Sequence, residues 1–265
     1  MSDKSTKPKV VILAGGMGMR LKEETEYKPK PMVPIGPYPI LWHIMKIYMH
    51  HGFNDFILCL GYKGEMIKEY FLNYEALNND LTLEFGANAK ITTHKKSDHE
   101  SFTVTLVDTG SNTMTGGRLK KIEKYVDTSD FMLTYGDGVS NVDIKKLYAF
   151  HLDSGKIATV TGVHPESRFG ELVIKDGIVA DFNEKPQLTD SYINGGFFVF
   201  NKKIFEYIGN EDCFFEREPI KKLTNERQLK VFTHDGFWHC MDTMRDVNSL
   251  NELWTGNKAP WKVWK

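Results

Sequence analysis

The segment "VVILAGGMGMR", residues 10–20, joins an apolar run to a glycine-rich turn. Its first four residues are β-branched or aliphatic, which predicts a buried β-strand. Gly15, Gly16 and Gly18 follow, and glycine lets the backbone approach a ligand closely because no Cβ intervenes. The free N–H groups of such a turn can hold an anion. The segment therefore predicts a phosphate site directly after the first strand, although an ordinary strand-to-helix turn fits the same residues.

Two established phosphate-binding patterns do not match this turn. The dinucleotide fingerprint G-x-G-x-x-G fails because its third glycine position, counted from Gly16, is Leu21. None of the glycines supports the pattern G-x-x-x-x-G-K-[ST] either. What remains is a wider glycine turn followed by the fixed positive charges of Arg20 and Lys30. A nicotinamide-dependent dehydrogenase is consequently the weakest interpretation.

Apolar strand-like runs alternate with helix-like runs up to about residue 163. Strands are predicted at 9–15, 55–61, 102–108, 130–138 and 156–163, with helices at 39–52, 63–74, 117–125 and 142–155. Strands separated by helices of this length imply right-handed crossovers. The sequence therefore predicts an α/β fold with a Rossmann-like, mixed but mostly parallel sheet and helices on both faces.

The pattern changes in the second part of the chain. A hairpin at 170–186, further strands at 192–200 and 229–242, and a last helix at 243–255 indicate a smaller α+β region. We expect a flexible tail at 1–8 and one domain at 9–265, divided into parts 9–163 and 164–265 that share one continuous sheet. The polar stretch 76–101 is interpreted as a solvated loop.

The overall composition limits the partners. The chain of 265 residues carries 34 basic and 35 acidic residues, a net charge of −1, so no global field would attract nucleic acid or a membrane. The three cysteines form no C-x-x-C pair, which predicts free thiols in a reducing compartment. No apolar run approaches the roughly 20 residues that a membrane span needs, and the first residues lack a signal peptide. We expect a cytoplasmic protein.

Three charged positions follow predicted strands. Asp137, in "YGDG", lies where ligands bind in open α/β sheets, and a carboxylate there can hold Mg²⁺. Asp242 ends another apolar run, so the two aspartates could share one metal ion. Lys185 follows a strand beside Glu184. Taken singly, these residues also fit a turn-forming aspartate and an exposed ion pair.

The motifs occur in the order typical of one enzyme family. The strings are "LAGGMGMRL" (13–21), "KPKPM" (28–32), "YGDG" (135–138), "EKP" (184–186) and "NGGFF" (194–198). On these motifs residues 9–265 resemble the sugar-phosphate nucleotidylyltransferases. The strings "MTGGRLK" (114–120), "FTHDGFWHCMDTMRD" (232–246) and "APWKVW" (259–264) are most similar to the members that use CTP and glucose 1-phosphate.

The resemblance implies roles for particular residues and a Mg²⁺ cofactor. Catalytic roles are implied for Arg20, Lys30, Asp137 and Lys185, and metal binding for Asp137 and Asp242. Nucleotide binding is implied for Leu13, Ala14, Gly15, Gly16, Gly18, Arg20, Lys30, Thr115, Gly116 and Gly117, the last three near the cytosine. Sugar-phosphate binding is implied for Gly170, Glu184, Lys185, Asn194 and Gly195. The resemblance also implies a homo-oligomer.

The sequence departs from the family pattern at two positions. Met19 stands where the glycine turn usually has threonine, so one hydroxyl contact to a phosphate is missing. Phe215 stands where tryptophan is usual, while Glu216 and Pro219 are kept. Two alternatives stay open, namely a thymidylyl- or uridylyltransferase acting on a hexose 1-phosphate, and a non-catalytic subunit that binds sugar nucleotides.

Overall fold

A computed structural model describes residues 7–87, 89–94, 101–165, 171–175, 178–183 and 191–264. The strands are β1 Val10–Leu13, β2 Pro34–Ile35, β3 Tyr38–Pro39, β4 Asp55–Leu60, β5 Asp80–Glu84, β6 Lys90–His94, β7 Thr103–Asp108, β8 Asp130–Tyr135, β9 Gly138–Ser140, β10 Ala158–Val163, β11 Glu171–Lys175, β12 Ile178–Asn183, β13 Ile193–Asn201, β14 Leu229–His234 and β15 Trp238–Cys240. The α-helices are α1 Lys22–Thr25, α2 Ile40–His50, α3 Gly64–Leu72, α4 Tyr74–Asn78, α5 Thr115–Lys121, α6 Ile144–Ser154, α7 Glu218–Asn225 and α8 Met244–Thr255. Short 3₁₀ helices cover Met19–Leu21, Lys30–Met32, Glu123–Tyr125 and Lys202–Tyr207.

Within the described residues, seven strands form one sheet in the order β14-β10-β13-β8-β1-β4-β7. The pairs β8–β1, β1–β4, β4–β7 and β10–β14 are parallel, whereas β13 runs antiparallel to both of its neighbours. This mixed, mostly parallel sheet confirms the predicted fold class. Because β13 and β14 come from the second part of the chain, and the other five strands from the first, both parts contribute to one continuous sheet.

Strand β1 shows why the opening apolar run forms the centre of this sheet. Successive strand side chains point to opposite faces. Val10 and Ile12 pack in one apolar cluster, which includes side chains of α2, α6 and α8, and Val11 and Leu13 pack in a second cluster on the other face, with side chains of α5 and α7. The run is apolar at every position because the strand is covered on both sides.

The last helix begins where local signals place it. The Thr243 hydroxyl accepts from the Asp246 N–H, and the Asp246 carboxylate accepts from the Thr243 N–H, which forms a capping box. The predicted hairpin at 170–186 is present as the antiparallel pair β11–β12. Its proposed turn, Asp176-Gly177, lies outside the described residues.

The interpretation of 76–101 as a loop was wrong for much of that stretch. Helix α4 ends at Asn78, and β5 and β6 pair as an antiparallel hairpin between Asp80 and His94. Its side chains are largely exposed. A strand without a buried face lacks the alternation that reveals strands in a sequence. No helix in the described part of the chain is long and apolar enough to cross a membrane.

Candidate active site

A cavity of about 610 Å³ opens at the carboxyl edge of the sheet, beyond the ends of β1 and β8. Ligands bind at this edge in open α/β sheets. The lining combines the glycine turn, the loop before α5 and the segment after β8, and comprises Leu13, Ala14, Gly15, Gly16, Met17, Gly18, Met19, Arg20, Lys30, Pro31, Ser111, Asn112, Thr113, Met114, Thr115, Arg118, Tyr135, Gly136, Asp137 and Phe214.

The three glycines of the turn serve different purposes. A Cβ on Gly15 would lie 2.1 Å from Arg118 Nη1, so only glycine fits there. Gly18 has a φ of 63°, which glycine adopts most readily, and a Cβ on it would lie 2.7 Å from Thr25 Cγ2. Gly16 faces open space, and a Cβ on it would have no neighbour within 4 Å. Gly16 is therefore the glycine that the fold itself does not require.

A buried arginine fixes the loops around the cavity. Arg118 donates to the carbonyl oxygens of Gly15 at 2.9 Å, Gly110 at 2.7 Å and Ser111 at 3.2 Å. It also donates to the Leu60 carbonyl at 3.0 Å and to Thr109 Oγ1 at 2.7 Å. Its side chain thereby joins the glycine turn to the loop before α5. This role could not be predicted from the sequence, because nothing distinguishes Arg118 from the neighbouring basic residues of α5.

The two aspartates predicted as metal ligands come together through a short two-stranded sheet. Strands β9 and β15 pair so that Gly138 lies opposite Cys240. The Met241 N–H also donates to the Asp137 carbonyl at 2.8 Å. These contacts set Asp137, which lines the cavity, beside Asp242, 105 residues later in the sequence.

Lys30 and Arg20 neutralise this pair of carboxylates. Lys30 Nζ lies 2.6 Å from Asp137 Oδ2 and 2.7 Å from Asp242 Oδ1, while Arg20 Nη1 lies 2.7 Å from Asp242 Oδ2. The Lys30 side chain is buried, whereas that of Arg20 is 69% exposed. The structure therefore joins four of the sequence-predicted charged residues in one cluster.

The opposite charges in this cluster stabilise the charged forms of Lys30 and Asp242. Burial works against the charged form of Lys30, but Asp137 and Asp242 outweigh it and hold the lysine pKa above its ordinary value. Burial would likewise raise the pKa of Asp242, and contact with Lys30 and Arg20 outweighs it, so that pKa lies below its ordinary value. Both groups are charged at neutral pH.

The donor atoms fit a divalent cation. In the described part of the chain, Asp137, Cys240 and Asp242 each offer a ligand atom, and these atoms lie within 4.8 Å of one another. Carboxylate oxygens are the ligands that Mg²⁺ prefers.

A second polar network borders the cavity. The Glu216 carboxylate accepts from Tyr135 Oη at 2.6 Å and from Thr115 Oγ1 at 2.6 Å. Thr115 Oγ1 in turn accepts from the Phe215 N–H at 3.0 Å. Phe215 is buried and packs against Phe198 and Phe200. Glu216 matches the family pattern, but its role could not be predicted from the sequence. Its partners Tyr135 and Thr115 lie 81 and 101 residues away.

Other predicted site residues lie at varying distances from the cavity. Thr115 lines it, but Gly116 and Gly117 do not, because they pack against residues 211–213 and their N–H groups donate to the Cys213 carbonyl. Asn194 Nδ2 lies 3.5 Å from Tyr135 Oη, and the Gly195 carbonyl accepts from Trp238 Nε1 at 2.7 Å. The described residues do not include Gly170, Glu184 or Lys185.

The fold and the site together define a class of α/β protein with a charged cavity at the carboxyl edge of its sheet, where such proteins bind their ligands. The family model described as "Nucleotidyl transferase" matches residues 9–259. The chain belongs to this nucleotidyltransferase family, as its motifs indicated, and is an enzyme of that class.

Curated relatives and solved structures agree with this assignment. The chain is 52% identical to the glucose-1-phosphate cytidylyltransferase of Salmonella typhimurium over 258 residues, covering 97% of this chain and all of the relative. It is 44% identical to a probable glucose-1-phosphate cytidylyltransferase of Bacillus subtilis, with the same coverage. The crystal structure of HddC from Yersinia pseudotuberculosis superposes with a TM-score of 0.68 at 27% identity, covering 94% of this chain and all of HddC.

Proposed function

We propose that the protein transfers the cytidylyl group of CTP to α-D-glucose 1-phosphate, giving CDP-glucose and pyrophosphate. The observation that carries this proposal is the 52% identity, over 97% of the chain, to a relative named for that activity. The cluster of Lys30, Arg20, Asp137 and Asp242, of which the first three line the cavity, supplies the charges that the reaction requires.

The reaction joins two anions that repel each other. An oxygen of the sugar phosphate attacks the α-phosphorus of CTP, a new P–O bond forms, and pyrophosphate leaves. That oxygen is already anionic near neutral pH, so no general base is needed. Catalysis then depends on positioning and on fixed positive charge. Lys30 and Arg20 provide this charge in the region of the transferred phosphate, and their positions are set before the substrate arrives.

The triphosphate is assigned to the glycine turn. Residues Leu13 to Gly18 line the cavity there, and Gly16 leaves open space for a close approach. The base is assigned to the part of the cavity beside Thr115, where the Glu216 network fixes the threonine hydroxyl. Lys30 can exchange its carboxylate partners for phosphate oxygens, because Lys30 and the glycine turn line the same cavity.

Mg²⁺ is the proposed cofactor, held by Asp137 and Asp242. When bound, the cation would neutralise phosphate charge and help to orient the triphosphate. Lys30 occupies one oxygen of each carboxylate. We infer that Lys30 keeps the two acidic side chains close together until the nucleotide and its cation enter.

The sugar phosphate is assigned to the neighbouring edge of the site. Lys185 is proposed to bind its phosphate, and Gly170, Glu184, Asn194 and Gly195 to contact the sugar hydroxyls. Asn194 is within reach of Tyr135, a cavity-lining residue, which supports its place in this group. The division at residue 163 into nucleotide and sugar parts belongs to the same proposal.

We also propose a homo-oligomer in the cytoplasm. The exposed apolar side chains of Leu83, Phe85 and Ile91 on and beside the β5–β6 hairpin support self-association. The free thiols of Cys59, Cys213 and Cys240 support a reducing compartment. Light scattering of the purified chain tests the first point.

The decisive experiment measures pyrophosphate release from each of CTP, UTP, dTTP and GTP with glucose 1-phosphate, with and without Mg²⁺. We expect CTP to give the highest kcat/KM, CDP-glucose as the product by mass spectrometry, and dependence on Mg²⁺. A higher kcat/KM with UTP or dTTP would overturn the choice of nucleotide. CDP-glucose binding without turnover of any nucleotide would instead identify a non-catalytic subunit.

A further inference from the structure

The first turn of helix α8 is bonded directly to the charged cluster of the active site. Asp246 lies in this turn, and its Oδ2 accepts from the Asp242 N–H at 2.9 Å. The same oxygen accepts from the Thr243 N–H at 2.7 Å and from Thr243 Oγ1 at 2.9 Å. The carboxylate therefore does more than cap the helix, because one of its bonds goes to the backbone of Asp242.

We propose that Asp246 is a positioning residue for nucleotidyl transfer, which fixes Asp242 and, through it, the cations Lys30 and Arg20. The inference rests on the proposed function in one respect, namely that these two cations act on the transferred phosphate. Asp246 is not among the residues that line the cavity, so it acts through Asp242.

Both carboxylate oxygens of Asp242 hold a cation. Oδ1 lies 2.7 Å from Lys30 Nζ, and Oδ2 lies 2.7 Å from Arg20 Nη1. The Arg20 side chain is largely exposed, and a long exposed side chain has many rotamers available. A shift of Asp242 would therefore misplace the guanidinium of Arg20 first, whereas Lys30 would keep its contact with Asp137 at 2.6 Å.

Backbone hydrogen bonds hold Asp242 from both sides. The preceding Met241 N–H donates to the Asp137 carbonyl at 2.8 Å. The Asp242 N–H donates to Asp246 and, at a longer 3.2 Å, to the Cys240 carbonyl. If the Asp246 carboxylate were removed, only the longer contact would remain on this N–H, so the turn from β15 into α8 would be less constrained.

Strand β15 in turn holds Asp246. His239 Nε2 lies 3.5 Å from Asp246 Oδ1, the second oxygen of the carboxylate. His239 pairs with Val139 of β9, and its ring stacks on Phe237. The Asp246 side chain thus links α8 to β15, the two elements between which Asp242 lies. Because both elements are fixed by their own packing, Asp242 is held in place before the substrates arrive.

The test compares Asp246→Ala with Thr243→Ala in the full chain. Each variant removes one half of the capping box, so the two should lower the melting temperature by similar amounts. Only Asp246→Ala removes the bond to the Asp242 N–H. We expect its kcat to fall roughly 10–100-fold, the range found for residues that orient metal ligands. Its KM for CTP should change less than about threefold, because the cations act mainly on the transition state. Thr243→Ala should retain most of the wild-type kcat.

Two further measurements separate a positioning role from a purely structural one. Asp246→Asn keeps an oxygen that can accept from the Asp242 N–H, so this variant should recover most of the kcat that Asp246→Ala loses. In crystal structures of the variants, the 2.7 Å contact between Arg20 Nη1 and Asp242 Oδ2 should be lost in Asp246→Ala and kept in Thr243→Ala.

Equal kcat values for Asp246→Ala and Thr243→Ala, or an unchanged contact between Arg20 and Asp242 in crystals of Asp246→Ala, would overturn the proposal. All rates are measured with the nucleotide that the wild type uses best, so an error in the choice of CTP does not affect the comparison. If the wild type turned over no nucleotide, the proposed function would fail, and the crystal structures would still decide whether Asp246 positions Asp242. Asp246→Ser, whose hydroxyl is too short to reach the Asp242 N–H, replaces the alanine variant if that protein does not fold.

Discussion

The guanidinium of Arg118 donates to the carbonyl oxygen of Gly15 at 2.9 Å, across 103 residues of sequence. The same group contacts the Gly110 and Ser111 carbonyls, so one buried side chain sets the relative position of both loops that line the cavity. Gly15 makes this contact possible because it has no Cβ at the place that Nη1 occupies. The glycine turn is thus held in place from inside the protein.

Replacing Arg118 with lysine should uncouple these loops. Lysine keeps the charge but cannot donate to all of these oxygens at once. We expect the free energy of unfolding to fall by about 2–3 kcal/mol, the scale of hydrogen bonds to a charged group, and KM for CTP to rise. Urea unfolding and steady-state kinetics measure the two effects. The exposed Arg217→Lys is the control, and equal stability of both variants would contradict the role of Arg118.

The glycines at positions 15 and 16 should respond differently to alanine. Gly15→Ala puts a Cβ 2.1 Å from Arg118 Nη1, and such overpacking costs about 1–3 kcal/mol. Gly16→Ala meets nothing within 4 Å and should change stability by less than about 0.5 kcal/mol. Thermal unfolding of the two variants side by side measures the difference. A larger loss for Gly16→Ala would show that the turn is packed in another way.

Lys30→Met should have opposite effects on catalysis and on metal binding. Loss of the charge near the transferred phosphate should lower kcat/KM for CTP by roughly 10²–10³. This is the loss in rate that follows removal of one oxyanion-hole donor from an enzyme. In the absence of nucleotide, Mg²⁺ should bind more tightly, because Asp137 and Asp242 lose the cation that bridges them.

Calorimetry with Mg²⁺ and steady-state kinetics test these two effects together. Lys28→Met is a matched control two residues away, since Lys28 pairs with Glu24 outside the cluster. An unchanged Mg²⁺ affinity in Lys30→Met would contradict a metal site at the two carboxylates that Lys30 bridges.

Acid should destabilise the fold through His43. Burial lowers the pKa of this histidine from 6.5 to about 4. The ring accepts from Trp261 Nε1 at Nδ1 and contacts the Ile35 carbonyl through Nε2, an arrangement that fits the neutral imidazole. The contribution of His43 to the free energy of unfolding is therefore complete above pH 6.5, decreases as the pH falls, and is lost below about pH 4. Its full size is roughly 3 kcal/mol.

His43→Gln should reduce this acid sensitivity. Glutamine keeps a donor and an acceptor but does not titrate in this range. Between pH 7.5 and 4.5, the loss of unfolding free energy should be about 2 kcal/mol smaller in this variant than in the wild type. The exposed His50→Gln is the control. If the free energy of unfolding of the wild type and of His43→Gln changed with pH in the same way, the acid sensitivity would belong to other groups.

The fold class could be predicted from local patterns, which depend only on residues close together in the sequence. The run at 10–13 is apolar at every position because β1 is covered on both faces, and the alternation of strands and helices indicated a mostly parallel sheet. The hairpin between Asp80 and His94 could not be predicted in this way because its exposed strands bury no regular face. Apolar and polar residues alternate along a strand only when one of its faces is buried, so an exposed strand lacks this pattern.

The sequence by itself determined that a glycine turn follows a buried strand, that Asp137 and Asp242 end strands, and that basic residues lie near the turn. Only the tertiary structure decided that Lys30 bridges both aspartates, that Arg118 is buried against the turn, and that Cys240 joins the acidic pair. The physical reason is that these contacts depend on strand pairing and helix placement over more than 100 residues. A residue's type limits which partners it can have, and the fold selects among them.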